Sequence, residues 1–347
     1  MTADLLNDPR IFEPSYHPEN IVNRAEEAEE MLKMLSGDET NVQDLFLHGS
    51  HGTGKSVVTK QVLQNLEGRH QSCILSCTKY NTHYKVLQGF LERLTGEEVS
   101  SGYHASDLLR RLEKRIGAVP TVLVLDDADF LLENDGDDLL YSLSRIDGAE
   151  NLGIVLITSY RNSLRNTVES RTYSSLQPQK IVFNPYTSKE IYRILSERAR
   201  EAFTTHSVHR NALTYIASSV ANAGFALHWL RVAAANASDT IRESAVKDAY
   251  SESVQSYTAE ILGNHSLHHQ LLHDSLTRLT EDRSKVNTGK VYEKYQERCQ
   301  EASVEPLSDR RVSDYLKHLE FEGLIEAEYR YGGEKGKTRE IRVRKPV

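Results

Sequence analysis

The sequence predicts an α/β fold: a parallel sheet covered by helices on both faces, continued by an all-α region and closed by a small helix–helix–hairpin module. Three observations predict it. Up to about residue 187, short apolar runs alternate with helix-period stretches, and the runs are apolar throughout, as strands buried on both faces must be. From about residue 187 to 280 the strand signal stops and helical periodicity continues. Beyond about 281, two helices precede a two-stranded hairpin around Gly332-Gly333. The expected domains are 1–186, 187–280 and 281–347.

The expected strands are Leu45–Leu47, Cys73–Cys77, Val122–Leu125, Ile154–Ile157 and Ile181–Phe183. Helical stretches such as Ser56–Leu66 and Leu139–Arg145 lie between them. In the all-α region, Ile191, Ile194 and Leu195 and then Leu213, Ile216, Ala217 and Val220 recur at helical spacing. Asn211 to Leu230 carries no Asp, Glu, Lys or Arg over 20 residues. It also holds Ser218, Ser219, Asn222 and His228, so it reads as buried helices and not as a membrane span. The acidic cluster Glu133–Asp138 reads as a solvated loop. No internal repeat or low-complexity linker interrupts the pattern.

At 347 residues, 39% hydrophobic and 27% charged, the chain is long enough for two or three packed domains. The formal charge of −8 excludes a simple basic nucleic-acid coat but leaves room for a local basic site. The charge is uneven. Residues 281–347 hold 15 basic and 14 acidic side chains, while 329–347 hold seven basic and two acidic ones. Cys73, Cys77 and Cys299 show neither zinc nor disulfide spacing, which points to a reducing interior. Asp4 and Asp8 interrupt any secretory leader. A cytoplasmic protein with no membrane partner is expected. His265, His268, His269 and His273 lie at helical spacing; without a further ligand they read as a surface or core-edge helix, not a zinc site.

Gly49-Ser50-His51-Gly52-Thr53-Gly54-Lys55-Ser56 matches G-x-x-x-x-G-K-[ST] in full, between an apolar strand and a helix. Gly49, Gly52 and Gly54 let the backbone curl so that successive N–H groups, Thr53 included, meet phosphate oxygens. The helix start adds its positive dipole end. Lys55 is placed to reach the β- and γ-phosphates, and Ser56 to offer its hydroxyl to Mg²⁺. The strand Thr121–Leu125 runs into Asp126-Asp127. A carboxylate at the C-terminal edge of a parallel sheet faces bound ligand. Asp126 is the expected Mg²⁺ carboxylate and Asp127 the expected water-activating base. Together these predict a P-loop module that binds ATP or ADP with Mg²⁺.

Four further stretches resemble the archaeal replication-initiator family, AAA+ ATPases related to the largest subunit of the eukaryotic origin recognition complex and to its helicase-loading partner. They are Phe12-x-x-x-Tyr16-x-Pro18-Glu19 with Asn23-Arg24-x-Glu26; Leu139 to Arg145; Arg171-x-x-Ser174-Ser175-Leu176-x-Pro178 through Phe183-x-Pro185-Tyr186-Thr187 to Ile194-Leu195-x-x-Arg198-Ala199; and Thr288 to Tyr295 with Pro306 to Leu316 and Gly323-Leu324-Ile325. The resemblance spans roughly residues 10–345. It implies an AAA+ core, an all-α lid and a C-terminal winged-helix domain. It also implies that Tyr186 and Arg198 contact ATP, and that the partners are double-stranded DNA at origin repeats, the MCM replicative helicase and other copies or paralogues; Arg171 is a candidate for an arginine finger acting in trans, with a purely structural arginine as the alternative. Three departures stand out. The family's usual Asp-Glu is Asp126-Asp127 here, its usual Asn after the fourth strand is replaced by Ser159, and its lid arginine falls at Gly224. A shorter base and a missing guanidinium predict nucleotide binding with slow or absent hydrolysis.

At the C-terminal end, Ser308 is an expected N-cap. Val312, Tyr315, Leu316 and Leu319 share one helical face, which leaves Arg310, Asp314 and Lys317 opposite and Arg311 and Ser313 flanking. That is the layout of a recognition helix, with one stripe for the core and one for the major groove. The following hairpin resembles a wing whose Lys335, Lys337 and Arg339 suit a phosphate backbone. Two other classes stay open: a nucleotide-switched regulator with a winged helix, and a paralogue that binds nucleotide and DNA without firing an origin.

Overall fold

The five apolar runs form one parallel sheet in the order β2-β3-β4-β1-β5: β1 (Leu45–His48), β2 (Gln71–Ser76), β3 (Thr121–Asp126), β4 (Leu152–Thr158) and β5 (Gln179–Val182). A computed structural model describes residues 5–13, 16, 18, 21–36, 42–100, 102–117, 119–159, 163–280, 285–331 and 337–345, without the side chains of 329–331 and 337–338. The chain divides into two compact units, His17–Pro185 and Tyr186–Val347 with Met1–Tyr16.

In the first unit α1 (Ala25–Ser36), α2 (Lys55–Asn65), α3 (His83–Thr95) and α4 (Ala105–Ile116) join the strands, followed by α5 (Ala128–Asp135), α6 (Asp138–Leu143), α7 (Leu164–Thr167) and α8 (Ser170–Leu176). Strand residues of alternating parity serve different cores. Leu45, Leu47, Val122, Val124, Val155 and Ile157 pack with Met31 and Leu35 of α1 and Val58 and Val62 of α2. Phe46, Leu123, Leu125, Ile154 and Leu156 are buried as well. Both faces are therefore covered, which accounts for the unbroken apolar runs. Gly153 has a local reason: a Cβ there would lie 2.4 Å from Val42 Cγ1.

The acidic cluster does not form a solvated loop. Glu133–Asp135 complete α5, and Asp138 opens α6. The carboxylates serve as caps and braces. Asp135 Oδ2 accepts from His83 N at the head of α3 (2.5 Å), and Asp137 Oδ2 accepts from Glu169 N (2.8 Å). Short acceptors beside unfilled helix-start donors prefer this work to solvation.

In the second unit, α9 (Ser188–Ala202) starts with a Thr187–Glu190 capping box. Next come α10 (Arg210–Ser219), α11 (Ala223–Ala235), α12 (Glu243–Asp248) and α13 (Tyr250–Gly263). The charge-free stretch supplies α10 and α11, whose Leu213, Ile216, Phe225, Trp229 and Leu230 fill an aromatic-rich core. Among the described residues no helix is long and apolar enough to cross a membrane.

The C-terminal module comprises α14 (Leu267–Thr280), β6 (Val286–Asn287), α15 (Thr288–Glu301), α16 (Asp309–Phe321), β7 (Ile325–Tyr331) and β8 (Lys337–Val343). It is a winged helix with three strands in the order β6-β8-β7, one more than the hairpin expected. The extra strand is two residues long, too short for a periodic signal. Leu262, Leu271, Leu272 and Leu276, upstream of residue 281, share its core with Val291, Leu316 and Ile341.

Candidate nucleotide-binding site and nucleic-acid interface

The phosphate loop owes its shape to β1 below it and α2 above it. Gly52 and Gly54 take φ of 73° and 92°, values at which a Cβ is strained. Gly49 lies against the exit of β5: a Cβ there would stand 2.3 Å from Phe183 O. Thr53 is buried, and its hydroxyl donates to Ser50 O (2.9 Å).

Lys55 is only 6% exposed. Its Nζ donates to Gly49 O (2.7 Å), Ser50 O (2.9 Å) and Ser159 Oγ (3.2 Å). Burial pulls its ammonium down to about 8, against the attraction of Asp127, Asp126 and Asp129. Ser56 Oγ donates to Asp126 Oδ1 (2.9 Å). Burial raises the Asp126 carboxyl, and the Ser56 hydrogen bond and the Lys55 charge oppose that rise. Ser159 N donates to Asp129 Oδ2 (2.8 Å). Because β4 runs between β1 and β3, Ser159 stands between the loop and Asp126. Three strand ends thus converge on one spot.

The site suits a nucleotide polyphosphate. Among the described residues, the main-chain N–H groups of Gly52, Gly54, Lys55 and Ser56 have no protein acceptor. Such donors beside a buried ammonium attract anionic oxygens. Ser56 and Asp126 offer two hard oxygens in contact. No cluster of three or more His, Cys, Asp or Glu is poised for a metal among the described residues. A Ser hydroxyl beside one carboxylate is the kind of donor pair that fits Mg²⁺, which takes one or two protein oxygens and completes its shell with phosphate and water.

Asp127 is the N-cap of α5 and sits at φ 55°, ψ 46°. It is the largest charge pulling on Lys55. Arg171 is engaged elsewhere: it pairs with Asp138 (3.0 Å) and Glu169 (2.8 Å) and lies over the Tyr141 ring. Tyr186 and Arg198 belong to the second unit. Tyr186 is buried in its core. Arg198 lies 4.5 Å from the Tyr16 ring centroid, and its buried Nη1 has no hydrogen-bond acceptor among the described residues. Gly224 is in the first turn of α11, where a Cβ would meet Tyr257 Oη at 3.2 Å.

Sequence reasoning passed over two members of the site, Asp129 and Arg24. Arg24 is 5% exposed and donates through Nε to Thr53 O (3.0 Å). The Asn-Arg-x-Glu run was legible, but nothing in it showed which carbonyls the guanidinium would meet.

On the winged helix, Arg310 and Arg311 are exposed in the first turn of α16, and Ser313 and Lys317 are half-buried. Ser308 occupies the N-cap but makes no side-chain cap; Asp309 supplies first-turn charge instead. Arg339 departs from expectation. It is 8% exposed and binds Glu320 of α16 (2.7 Å), so it braces the wing strand and is not offered to a backbone. Lys335 and the Lys337 side chain lie outside the described residues. The histidines meet partners around the C-terminal core: His265, just before α14, meets Glu322 at the end of α16 (2.9 Å), His268 of α14 meets Tyr295 of α15 (2.7 Å), and His269 of α14 meets His318 of α16 (3.1 Å).

Comparison with known proteins agrees with both halves of this picture. Residues 260–346 match the family described as "CDC6, C terminal winged helix domain", and residues 43–166 match "AAA domain". The ORC1-type DNA replication protein of Thermococcus kodakarensis is 30% identical over 98% of this chain and 88% of its own length. ORC1-type DNA replication protein 1 of Sulfurisphaera tokodaii is also 30% identical, over 97% and 91%. The structure of the Aeropyrum pernix ORC1 protein in complex with DNA superposes with a TM-score of 0.77 at 28% identity, covering 99% of this chain and 95% of that one. A phosphate loop on an AAA+ sheet, a C-terminal winged helix, and identity that runs nearly end to end place this chain in the family of ORC1-type DNA replication proteins.

Proposed function

We propose that the protein binds ATP, or holds ADP, with Mg²⁺ at the phosphate loop, recognises replication-origin repeats in double-stranded DNA, and helps recruit the MCM replicative helicase. In this reading the winged helix and a face of the AAA+ core touch DNA, and other copies or paralogues assemble beside it in the cytoplasm, on the nucleoid. The observation that carries the nucleotide part is the convergence of Lys55, Ser159, Ser56 and Asp126 at three strand ends. The likeness to an ORC1 protein solved with DNA supports the duplex part.

Each residue then has a task. Lys55 and the loop N–H groups orient the phosphates. Ser56 and Asp126 hold Mg²⁺, which when bound neutralises phosphate charge. Asp127 positions the attacking water, and Arg171 serves a neighbouring copy after leaving Asp138 and Glu169. Tyr186 and Arg198 keep the nucleotide-contact role that the family resemblance gives them. Arg310, Arg311, Ser313 and Lys317 face DNA, with Lys335 and Lys337 on the wing.

A second reading is favoured by Gly224, which offers no guanidinium where the family carries one. It makes the chain a divergent nucleotide-switched paralogue or transcription regulator that binds DNA without firing an origin. Chromatin occupancy in growing cells separates the two, with Lys55→Ala mapped alongside. A few sharp intergenic peaks over repeats in early-replicating DNA, weakened by Lys55→Ala, are the expected result. Scattered promoter peaks, or none, would move the assignment to the second reading.

A further inference from the structure

We propose that Arg24 is a positioning residue that couples the phosphate loop to the exit of β5, so that nucleotide at the loop is felt where the chain leaves the first unit. The proposal rests on the reading of the loop as a nucleotide site. Arg24 immediately precedes α1 and is buried. Its guanidinium makes three bonds in three directions. Nε donates to Thr53 O (3.0 Å), in the loop between two glycines of positive φ. Nη2 donates to Asn184 O (2.5 Å), just past β5. Nη1 is held by Glu27 (2.7 Å), itself largely buried. The guanidinium also lies 5.5 Å from the Phe183 ring centroid.

Two independent contacts draw the same segments together. Phe183 N donates to His48 O (2.7 Å), and Gly49 approaches Phe183 O so closely that a Cβ would stand 2.3 Å from it. The first residue of the loop, its central carbonyl and the two residues after β5 therefore form one packed block. Arg24 is the member that reaches both ends. Packed groups of this kind resist continuous deformation. If phosphates draw the N–H groups around Thr53 inward, the Thr53 carbonyl turns with its peptide plane, and Arg24 carries that movement to Asn184. Pro185 follows, and Tyr186 opens the second unit. A rigid planar fork suits this task; an ammonium would serve one carbonyl at a time.

Hydrogen exchange on the full chain, with and without saturating MgATP, tests the coupling at residues 49–58 and 181–187. In the parent chain nucleotide slows exchange in both segments, by about fivefold or more. Arg24→Met weakens nucleotide binding about tenfold, the loss expected for a buried charge-assisted bond. At saturation it still protects 49–58 and loses the nucleotide-dependent change at 181–187. Arg24→Lys recovers affinity to within about threefold but not the response at 181–187. If Arg24→Met does not fold, Arg24→Lys decides alone. A merely structural arginine would loosen 181–187 equally with and without nucleotide and leave the difference intact. That outcome overturns the proposal, as does a parent chain that responds at 49–58 only. No response at either segment in the parent chain overturns the nucleotide reading and this proposal with it.

Discussion

At the scale of the residue, Asp127 shows why a substitution of one methylene belongs to its backbone. It sits in the left-handed region at φ 55°, which Asp tolerates better than most side chains because its short carboxylate can bond locally. The departure from Asp-Glu is thus compatible with the turn that starts α5, and an Asp carboxylate reaches one methylene less far than a Glu. Asp127→Glu is expected to raise steady-state ATP turnover by about tenfold or more, part of the roughly 10²–10⁴ that a fully placed base contributes, at a stability cost of about 1 kcal/mol. Adding Gly224→Arg raises it further, although Tyr257 Oη must give by a few tenths of an ångström. Turnover measured on the parent and both variants decides; a parent chain that already turns over as fast as the Asp127→Glu variant sinks the idea. The loop residues were legible because eight consecutive positions specify one backbone path. Arg24 was not legible as a site residue, because its partners are main-chain carbonyls 29 and 160 positions away, which no side-chain pattern announces.

At the scale of the element, the wing shows how far strand parity reaches. Ile341 and Val343 of β8 pair with Ala327 and Ile325 of β7 and belong to the core side. Arg339 lies two and four residues before them and so faces the same way. That parity was present in the sequence, but the basic composition of the hairpin tip outweighed it. The result is a largely buried pair with Glu320. Arg339→Ala is expected to cost about 3 kcal/mol of C-terminal stability, because it strands a buried carboxylate. It should leave the salt dependence of duplex binding unchanged. Arg311→Ala, in the exposed first turn of α16, should leave stability unchanged and reduce the logarithmic salt slope by about one. Urea unfolding and fluorescence anisotropy over a salt series check both. An Arg339→Ala chain with parental stability and a smaller salt slope would return that residue to the DNA surface. The central strands β1, β3 and β4 were legible because burial on both faces leaves them almost no polar position, and the edge strands β2 and β5 because an apolar run survives in each. β6 and the acidic braces were not, since two residues make no period and a capping carboxylate reads like a solvated one.

At the scale of the whole molecule, the two units respond differently to acid. In the second unit burial holds His269 down at about 3 and His273 at about 4, and lowers His228. Around His269 stand His265, His268 and His318, whose charges would oppose its own, with Tyr315 stacked on its ring at 3.9 Å. Glu322 faces His265, and Asp274 lies beside His273. A histidine with a depressed folded value takes up its proton mainly in the unfolded chain. Its contribution to stability is complete above about 6.5 and is lost as pH falls toward the folded value. Between pH 6.5 and 5 that amounts to about 2 kcal/mol for each of His269 and His273. In the first unit His48, His70 and His83 are also lowered. There, Asp44, raised by burial to about 7, acts in the opposite sense, as does Asp126. A raised carboxyl stabilises at low pH and loses that contribution as pH climbs through its folded value, so acidification is partly offset in this unit. The chain carries its own reporter, since its single tryptophan, Trp229, is buried in the aromatic core of the second unit. On lowering pH from 7.5 to 5, the thermal midpoint seen by Trp229 fluorescence should fall further than the midpoint seen by far-ultraviolet circular dichroism, which averages both units. His269→Gln should narrow the gap, because an amide fills part of the same space without titrating. Midpoints that move together in the parent chain, or a gap that His269→Gln leaves unchanged, would show that the buried histidines of α14 do not set the acid limit of the second unit.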